Sequence, residues 1–455
     1  MQKKRAVLRR VARGVGLLLC IIALSPSEGH SQSSPSGAAS VVASPAFEAR
    51  ARELIGILRG TGDYASFFSA EFQTSVPKEQ FAPVNAQLAA AFGPPVALDG
   101  MVMQAPYAGT VRVRYERAVV AFRMVVDASE PHRTSGLLVL GRRAPEQTLD
   151  EVTSALDGLH GITSYAFAKL GTGTPTLTVQ GNADTALAVG SAFKLVILAE
   201  LVRVTNAGVR AWGDLVTLDG RPLPAGAYTA RPAGTKVTLR ELATQMISIS
   251  DNSATDILLA DLGRERVEAM LPVLGVRADV RNTPFLSTLE AFKLKWLQNG
   301  ALGDRYLRLD SKGRRAMLAG DVRDADIAPL IAMRGLPTTP SRIDSIEWFF
   351  TTADLIKVMD WLRRNSEGGA GAEVRAVLSR NPGLQLERAQ FAWTGFKGGS
   401  EPGVMNLTLL LRGATGDWYA AAATWNDTMR AVDDGRFVEL MTALITLAEP
   451  KRINP

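Results

Sequence analysis

A long apolar stretch covers residues 186–206. Apolar side chains occupy almost the whole helical wheel from Ala192 to Ala199, which is typical of a helix enclosed on all sides. The first charged residue of the stretch is Lys194, three positions after Ser191. A buried ammonium group is costly unless it has a partner or a chemical task. The pattern therefore predicts a central helix with functional residues at its beginning.

The N-terminal part of the chain predicts a small unit of helices followed by strands. Helical periodicity covers about 46–59, 63–73 and 77–92, and strand patterns cover about 98–104, 111–127 and 134–141. We expect residues 46–142 to form this α+β domain. Its order resembles the cone-like fold shared by small cyclases, isomerases and transport factors. This resemblance implies a fold and no chemistry, so we expect a packing or substrate-shaping module.

Residues 146–450 predict a larger domain after a junction at Arg142-Arg143-Ala144-Pro145. We expect helices at about 147–158, 238–249 and 433–448, and an apolar helix that follows Asp256 and ends at Leu262. We expect strands at about 163–169, 175–180, 391–396, 404–412 and 418–425. Thr238 and Glu241 predict a capping box at the start of one helix. Because helix and strands occur at both ends of this region, we predict an α/β sandwich whose sheet pairs N-terminal with C-terminal strands.

The first 31 residues have the layout of a secretory signal peptide. A basic segment precedes an apolar stretch from Val15 to Leu24, and small and polar residues follow to Ser31. The stretch is too short to span a bilayer, so we expect a cleaved leader at residues 1–31 and no stable membrane insertion afterwards. Residues 32–45, rich in Ser, Pro, Gly and Ala, predict a flexible linker. The expected location is periplasmic or extracellular.

The net charge of the whole chain is +6, but the leader carries most of it. The first 31 residues contain six basic residues and one acid, Glu28, so the remaining chain is almost neutral. Such a chain offers no electrostatic reason to bind nucleic acid or a membrane surface. We therefore expect a small-molecule substrate as the partner.

Cysteine and histidine are scarce. The single cysteine, Cys20, lies within the leader, and the histidines are His30, His132 and His160. The mature chain would have no thiol nucleophile and no cysteine-ligated zinc. The two remaining histidines disfavour both a Ser-His-Asp triad and a His-rich metal site. We expect no metal and no other cofactor.

Ser191 and Lys194 would lie one turn apart on one helix face. At that spacing we expect the amine to take the hydroxyl proton directly, which would make Ser191 a nucleophile. Burial and the helix N-terminus are expected to lower the pKa of Lys194. The alternative is that Ser191 only caps the helix and that Lys194 has a structural partner.

Two further motifs carry polar and flexible residues, namely Ser250-Asp251-Asn252 and Lys397-Gly398-Gly399-Ser400. The Ser250 hydroxyl could relay a proton between Lys194 and a leaving group. The Asn252 amide could accept a hydrogen bond from Lys194 and donate one to a substrate carbonyl. The simpler alternative is that Ser250 and Asp251 cap the following helix.

In chain order, the three motifs resemble the signatures of the penicillin-recognising serine hydrolases, which include class A β-lactamases and penicillin-binding proteins. The resemblance covers about residues 150–450 and implies a β-lactamase-like fold. It implies that Ser191 forms an acyl-enzyme, that Lys194 is its base and that Ser250 relays the proton. It also implies substrate-binding roles for Asn252, Lys397, Gly398, Gly399 and Ser400. The backbone N–H groups of Ser191 and Ser400 would form the oxyanion hole.

The sequence departs from this family at two places. Gly398 stands where the third motif usually has Thr or Ser, so one hydroxyl contact to substrate is missing. Class A β-lactamases carry a Glu-x-x-Leu-Asn loop that activates the deacylating water, and no such pentapeptide lies between Asn252 and Lys397. Glu290 and Glu347 are candidates for the deacylation base in this unusually long interval. A structural carboxylate is the simpler alternative for each.

A secreted cone-like domain, a β-lactamase-like domain and no clear deacylating Glu resemble the β-lactamase-fold protein of the clavulanic acid pathway. In that resemblance, Phe396 and Met405 match apolar residues that line the site. We predict a serine hydrolase that acylates Ser191 with a β-lactam, with a role in β-lactam catabolism and the antibiotic response. The alternatives are an esterase or peptidoglycan-peptide hydrolase of the same fold, a penicillin-binding or sensing protein that stays acylated, and a catalytically silent scaffold.

Overall fold

The computed structural model describes residues 42–449 except 117, 144–147, 333–337 and 385. The described chain divides into two compact units, residues 43–143 and 148–449. The predicted signal peptide, most of the predicted linker and the centre of the predicted junction lie outside the described residues. In the part of the chain that the structure describes, no helix combines the length and the apolar character needed to cross a membrane.

The first unit consists of helices followed by a four-stranded antiparallel sheet, as predicted. Its helices are α1 (Pro45–Leu58), α2 (Tyr64–Phe67), α3 (Ala70–Ser75) and α4 (Lys78–Phe92). Its strands are β1 (Pro95–Ala105), β2 (Ala108–Tyr115), β3 (Val119–Val126) and β4 (Thr134–Arg143), paired in that order. Phe47 and Leu54 of α1 pack with Val113 and Phe122 of the sheet in the core of this unit.

Two predicted elements of this unit are divided in the structure. The predicted helix 63–73 is interrupted because Phe68 has an extended backbone and the Ser69 hydroxyl accepts from Phe72 N, which starts a new helix. The predicted strand 111–127 is a hairpin of β2 and β3. Alternation continues across the turn after Tyr115, so the pattern alone conceals the reversal of the chain.

The second unit contains five groups of elements in chain order. It begins with α5 (Leu149–Asp157), β5 (Ile162–Leu170), β6 (Thr176–Gly181), β7 (Leu187–Ala188) and α6 (Lys194–Asn206). There follow β8 (Leu215–Thr217), β9 (Lys236–Thr238), α7 (Leu239–Ser248), α8 (Asn252–Leu262) and α9 (Arg264–Val273). The long interval contributes α10 (Thr288–Trp296), α11 (Ala301–Leu307), α12 (Ser311–Met317) and α13 (Ala328–Ala332). Next are β10 (Phe349–Phe350), α14 (Thr352–Arg364) and α15 (Ala372–Ser379). The unit closes with β11 (Phe391–Glu401), β12 (Val404–Gly413), β13 (Trp418–Asn426) and α16 (Asp434–Ala448).

The main sheet of the second unit has the strand order β11-β12-β13-β5-β6 and is antiparallel throughout. Strand β13 pairs with β5, so C-terminal and N-terminal strands are neighbours as predicted. Side chains alternate between the two faces of β12, since Leu409 packs with α5 and α16 whereas Leu410 packs with the cluster around α6. The predicted α/β sandwich is therefore confirmed.

Helix α6 is the buried centre of the second unit. Every residue from Lys194 to Val202 is buried, which agrees with the predicted helix enclosed on all sides. The helix starts at Lys194 after a 3₁₀ turn at Gly190–Phe193, so Ser191 precedes the α-helix itself. The capping box predicted at α7 forms only in half. The Thr238 hydroxyl accepts from Glu241 N, but the Glu241 carboxylate accepts from the Tyr228 hydroxyl instead.

The tight packing of α6 gives a prediction for stability. Replacing the fully buried Leu198 by Ala leaves a cavity, and we expect the free energy of unfolding to fall by about 2–5 kcal/mol. Leu215→Ala is a matched control in the same unit, because this leucine is 55% exposed and its loss is expected to change stability by less than about 0.5 kcal/mol. Chemical denaturation of both variants checks the difference. Equal losses would contradict a tightly packed central helix.

Candidate active site

Ser191 lies in the short 3₁₀ turn that joins β7 to α6. Two contacts hold this turn, because Val189 N donates to Trp348 O at 3.0 Å and the Phe193 ring stacks on Trp348 with centroids 3.7 Å apart. Gly190 has a φ of +49°, a conformation that side chains disfavour. The Ser191 residue is partly exposed, and its hydroxyl makes no hydrogen bond with other described residues. The turn therefore presents a hydroxyl that is free to react.

The buried Lys194 amine is held by the second motif. Its Nζ donates to Ser250 O at 2.6 Å and to Asn252 Oδ1 at 2.7 Å, and lies 3.1 Å from Ser250 Oγ. No hydrogen bond joins Nζ to the Ser191 hydroxyl among the described residues, although we expected direct contact. The reason is geometric, since Ser191 lies in the 3₁₀ turn while these three acceptors draw the amine towards the start of α8.

Burial lowers the pKa of Lys194 to about 7, although Asp256 and Asp251 partly oppose this effect. A neutral amine has two N–H groups and one lone pair. Two of its neighbours, Ser250 O and Asn252 Oδ1, can only accept hydrogen bonds and would take both N–H groups. The lone pair is then free to accept a proton from a serine hydroxyl. Burial thus favours the protonation state that a general base needs.

Ser250 joins the two amines of the site. Its hydroxyl lies 3.1 Å from Lys194 Nζ and 3.0 Å from Lys397 Nζ. The backbone φ of Ser250 is +60°, which is uncommon for a residue with a side chain and directs both its carbonyl and its hydroxyl towards Lys194. A hydroxyl between two amines can accept from one and donate to the other. Ser250 is therefore placed to pass a proton between them.

Lys397 reaches the same hydroxyl from β11. The residue is buried, and its Nζ also donates to Gly398 O at 2.5 Å. Burial, together with the nearby Lys194 amine, lowers the pKa of Lys397 well below its usual value. Two ammonium groups around one hydroxyl repel each other, so a state with one neutral amine is favoured.

Asp251 holds the frame of this site. Its carboxylate caps α8 by accepting from Ala254 N at 2.7 Å and accepts from the Ser253 hydroxyl at 2.6 Å. The same carboxylate accepts from Ala227 N at 2.6 Å, which fixes a second loop. The capping alternative is thus correct for Asp251, whereas Ser250 serves the two amines.

Strand β11 approaches the Ser191 turn closely at its glycines. A Cβ on Gly399 would overlap with Val189 O and Ser191 N, and a Cβ on Gly190 would lie 3.1 Å from Ser400 N. The Ser191 turn and strand β11 thus pack closely against each other, with the backbone nitrogen of Ser191 on one side of the contact and that of Ser400 on the other. This arrangement is suitable for two N–H donors that share an oxyanion, which is the role expected for them.

Phe396 and Met405 are not brought together with the Lys194 amine. In the β11–β12 register, Lys397 pairs with Thr408, whereas Phe396 pairs with Leu409. Alternation places Phe396 on the sheet face opposite the Lys397 side chain, and Phe396 and Met405 both pack against the core cluster of α5 and α16. The Phe396 ring packs over Gly398 on that face, and a Cβ on Gly398 would overlap with it at 2.7 Å from Phe396 Cζ.

The two proposed deacylation bases have structural partners. Glu290 forms a capping box with Ser287 at the start of α10 and an ion pair of 2.6 Å with Arg264. Glu347 is buried and forms an ion pair of 2.5 Å with Lys295. The simpler alternative therefore describes Glu290. Glu347 belongs to a second charged cluster beside the Ser191 turn.

Sequence reasoning missed three charged residues near the site, Asp256, Lys295 and Glu401. Asp256 accepts from Thr288 N at 2.7 Å and Leu289 N at 2.9 Å, and burial raises its pKa to about 6. An acidic residue within the apolar α8 pattern was a usable signal for it. Lys295 and Glu401 are 106 positions apart, and their pairing had no signal in the sequence.

The interval before α10 contains a fragment of the expected pentapeptide. Thr283-Pro284-Phe285-Leu286-Ser287 has Leu at the fourth position of Glu-x-x-Leu-Asn, with Thr283 in place of Glu and Ser287 in place of Asn. Asn282 fixes this segment by exchanging two hydrogen bonds with the Phe349 backbone, and Leu286 O accepts from Trp348 Nε1 at 3.1 Å. These contacts hold the segment against the residues that precede α14.

Comparison with known proteins gives a match to one family model over part of the chain. Residues 145–306, a minority of the sequence, match the model described as the Beta-lactamase enzyme family. No curated protein matches the chain. The chain is similar to a β-lactamase from Sphaerobacter thermophilus, with 18% identity and a TM-score of 0.45 over 65% of this chain and 95% of that one.

Two other solved structures are similar at the same level. A β-lactamase from Chitinophaga pinensis is 13% identical over 65% of this chain and 96% of its own, with a TM-score of 0.43. A PBP-A mutant, solved as an acyl-enzyme complex with penicillin G, is 13% identical over 67% of this chain and 97% of its own, with a TM-score of 0.44. At these values, function has to be derived from the residues of this chain.

The described residues contain no group of three or more His, Cys, Asp or Glu side chains placed to hold a metal ion. The polar groups of the site are the Lys194 and Lys397 amines, the Ser191 and Ser250 hydroxyls, the Asn252 amide and backbone N–H groups. Such a set suits proton transfer and oxyanion binding.

The close contact at Gly399 gives a second prediction. Gly399→Ala would force β11 away from the Ser191 turn, so we expect a lower melting temperature and a loss of activity. Gly171→Ala is the control, because a Cβ there has no atom within 4 Å. Thermal unfolding of both variants checks the effect. A wild-type melting temperature for Gly399→Ala would show that the strand does not press on the turn.

Proposed function

We propose that the chain is a serine hydrolase that forms an acyl-enzyme on Ser191 with a β-lactam or a related ester or amide. The observation that carries this proposal is the Ser250 hydroxyl placed between the Lys194 and Lys397 amines, with Lys194 three residues after Ser191. Lys194 is the base that activates Ser191. Asn252 and the two backbone N–H groups hold the substrate carbonyl.

The proton path is derived from these contacts. Neutral Lys194 takes the proton of Ser191 when the hydroxyl turns towards the amine, and the Ser191 oxygen attacks the carbonyl carbon. The carbonyl oxygen becomes an oxyanion held by the N–H groups of Ser191 and Ser400. Ser250 then donates its proton to the leaving nitrogen or oxygen and recovers one from Lys194.

A slowly deacylating binding or sensing protein is the second candidate function. The observation that favours it is that Glu290 and Glu347, the two candidate deacylation bases, are paired with cations. An esterase of the same fold remains the third, because an ester leaving group needs less proton donation than an amine. These functions share the acyl-enzyme and differ in the leaving group and in the rate of deacylation.

We also propose that the mature protein acts in the periplasm or outside the cell. The support is the basic and then apolar layout of residues 1–31. N-terminal sequencing of the protein recovered from a periplasmic extract checks this. A mature start near residue 32 is the expected result, and an intact Met1 on exported protein would oppose cleavage.

Acylation of Ser191 is tested by intact mass and turnover. The full chain is incubated with a chromogenic cephalosporin and separately with a 4-nitrophenyl ester, and we expect a covalent adduct or turnover. Ser191→Ala should abolish both signals. Ser75→Ala is the matched control, since Ser75 begins a second Ser-x-x-Lys sequence whose serine and lysine are both exposed.

Each outcome selects one function. Turnover of the cephalosporin supports a β-lactamase, and turnover of the ester alone supports an esterase. A lasting adduct without turnover supports the binding or sensing protein. Absence of any adduct on the wild type, or an adduct that persists in Ser191→Ala, would sink the proposal.

The pH dependence of acylation is set by Lys194. Only the neutral amine can accept the proton, so kcat/KM for acylation should rise with pH through about 7. Asp256 raises the pKa of Lys194, so Asp256→Asn should move this limb to lower pH. Asp261→Asn on the same helix is the control, because Asp261 pairs with Arg210 instead. A limb that stays in place in Asp256→Asn would argue against Lys194 as the titrating base.

A further inference from the structure

A second buried lysine lies at the other end of the Ser191 turn. Lys295 of α10 has a side chain only 1% exposed, and its Nζ contacts Glu347 Oε1 and Glu401 Oε1 at 2.5 Å each. The side chains of the two carboxylates are 4% and 13% exposed. These three residues form the Lys295 cluster.

The cluster joins the two backbone segments that enclose Gly190. On one side, β7 pairs with β10 so that Ala188 faces Phe349, and Val189 N donates to Trp348 O. Glu347 directly precedes Trp348, and Val189 directly precedes Gly190. The carboxylate that Lys295 holds on this side therefore belongs to the segment beside the turn.

On the other side, Glu401 follows Ser400, whose backbone nitrogen lies against Gly190. Alternation along β11 places the Glu401 side chain on the same face as Lys397, the face that also meets the turn at Gly399. Strand residues two apart are separated by roughly 7 Å. Glu401 is thus two strand residues from Gly399, which meets the Ser191 turn.

We propose that the Lys295 cluster is a positioning device that clamps the segment of Glu347 and the strand of Glu401 around Gly190, and so sets the spacing of the Ser191 and Ser400 N–H groups. This inference rests on the proposed function, because that spacing matters only if an oxyanion forms there. None of the three residues has to touch the substrate. Each is a positioning residue.

The charges of the cluster support a closed clamp at neutral pH. Burial alone would lower the pKa of Lys295, but Glu347 and Glu401 outweigh it and raise that pKa. Burial and the neighbouring Glu347 raise the pKa of Glu401 to about 8, against the effect of Lys295. Near pH 7 the Glu401 carboxyl group therefore keeps its proton and hydrogen-bonds Glu347, while Lys295 stays charged.

The charged groups around Glu401 come from two elements. Lys295 reaches it from α10, and Glu347 reaches it from the segment before β10. On β12 the residue opposite is Val404, which is apolar. Above pH about 8 the Glu401 proton is lost, so two carboxylates repel each other across one lysine and the clamp is expected to open.

The first test compares two lysines of one helix. Lys295→Met removes the shared cation, and we expect kcat for acylation to fall by ~10- to 100-fold with KM changed less than ~3-fold, since oxyanion donors act in the transition state. Lys293→Met is the matched control. Lys293 is equally buried on α10, but it donates to Val322 O and Arg323 O instead. Both variants lose a buried contact, and only Lys295→Met should lose kcat.

The second test uses a variant that keeps the fold. Glu401→Gln preserves a hydrogen-bonding group of the same shape, so it should lose kcat by less than ~10-fold where Glu401→Ala loses ~30-fold or more. Glu401→Gln cannot ionise, so the fall of activity expected above pH about 8 in the wild type should be absent from it. A purely structural role would not move this limb.

The outcomes separate this inference from the proposed function. If wild-type Ser191 is acylated but Lys295→Met and Lys293→Met have equal kcat, the clamp is wrong and the hydrolase stands. Persistence of the alkaline limb in Glu401→Gln would also overturn the clamp. If the wild type forms no adduct with either probe, both proposals fail together.

Discussion

The contact on which the rest of the site depends is the one between the buried Lys194 amine and the Ser250–Asn252 segment. An amine inside an apolar helix needs acceptors, and the segment before α8 supplies three oxygens within 3.1 Å. This demand accounts for the left-handed backbone of Ser250, which turns its carbonyl and hydroxyl to the same amine. Strand β11 then brings a second amine, that of Lys397, to the Ser250 hydroxyl. The positions of Ser250, Asn252 and Lys397 are thus linked through the contacts of one buried nitrogen.

Two buried lysines of this unit show how partners decide a role. Lys194 is bound by neutral oxygens and feels Asp256 and Asp251 only at a distance, so burial prevails and its pKa falls to about 7. Lys295 is bound directly by two carboxyl groups, which outweigh the same burial and raise its pKa. One amine is therefore ready to accept a proton, whereas the other stays charged and can hold two segments together. Burial alone would have assigned them the same behaviour.

Much of the candidate site could be predicted from short sequence patterns. The apolar pattern around Lys194 located the central helix, and the order of the three motifs indicated which polar groups meet. The structural role of Glu290 was also predictable, because Ser287 lies three positions earlier and completes a capping box with it. The period of two along β11 likewise separates Phe396 from Lys397. The pattern could not predict contacts between distant segments, such as that of Lys295 with Glu401. It also did not predict that α6 starts at Lys194, after Ser191.

The long interval between the second and third motifs changes the fate of an acyl-enzyme. Its two candidate carboxylates, Glu290 and Glu347, are paired with cations, and it also supplies Lys295, which pairs with Glu347. A water that attacks the acyl group still needs a base, and the Ser250 hydroxyl between two amines can serve through a neutral lysine. Because ester formation returns Lys194 to its neutral state once Ser250 has passed on the proton, the same amine is available for the second step. Deacylation then depends on whether water reaches the carbonyl from the side of Ser250, and a closed clamp around Gly190 keeps that carbonyl in place while it does.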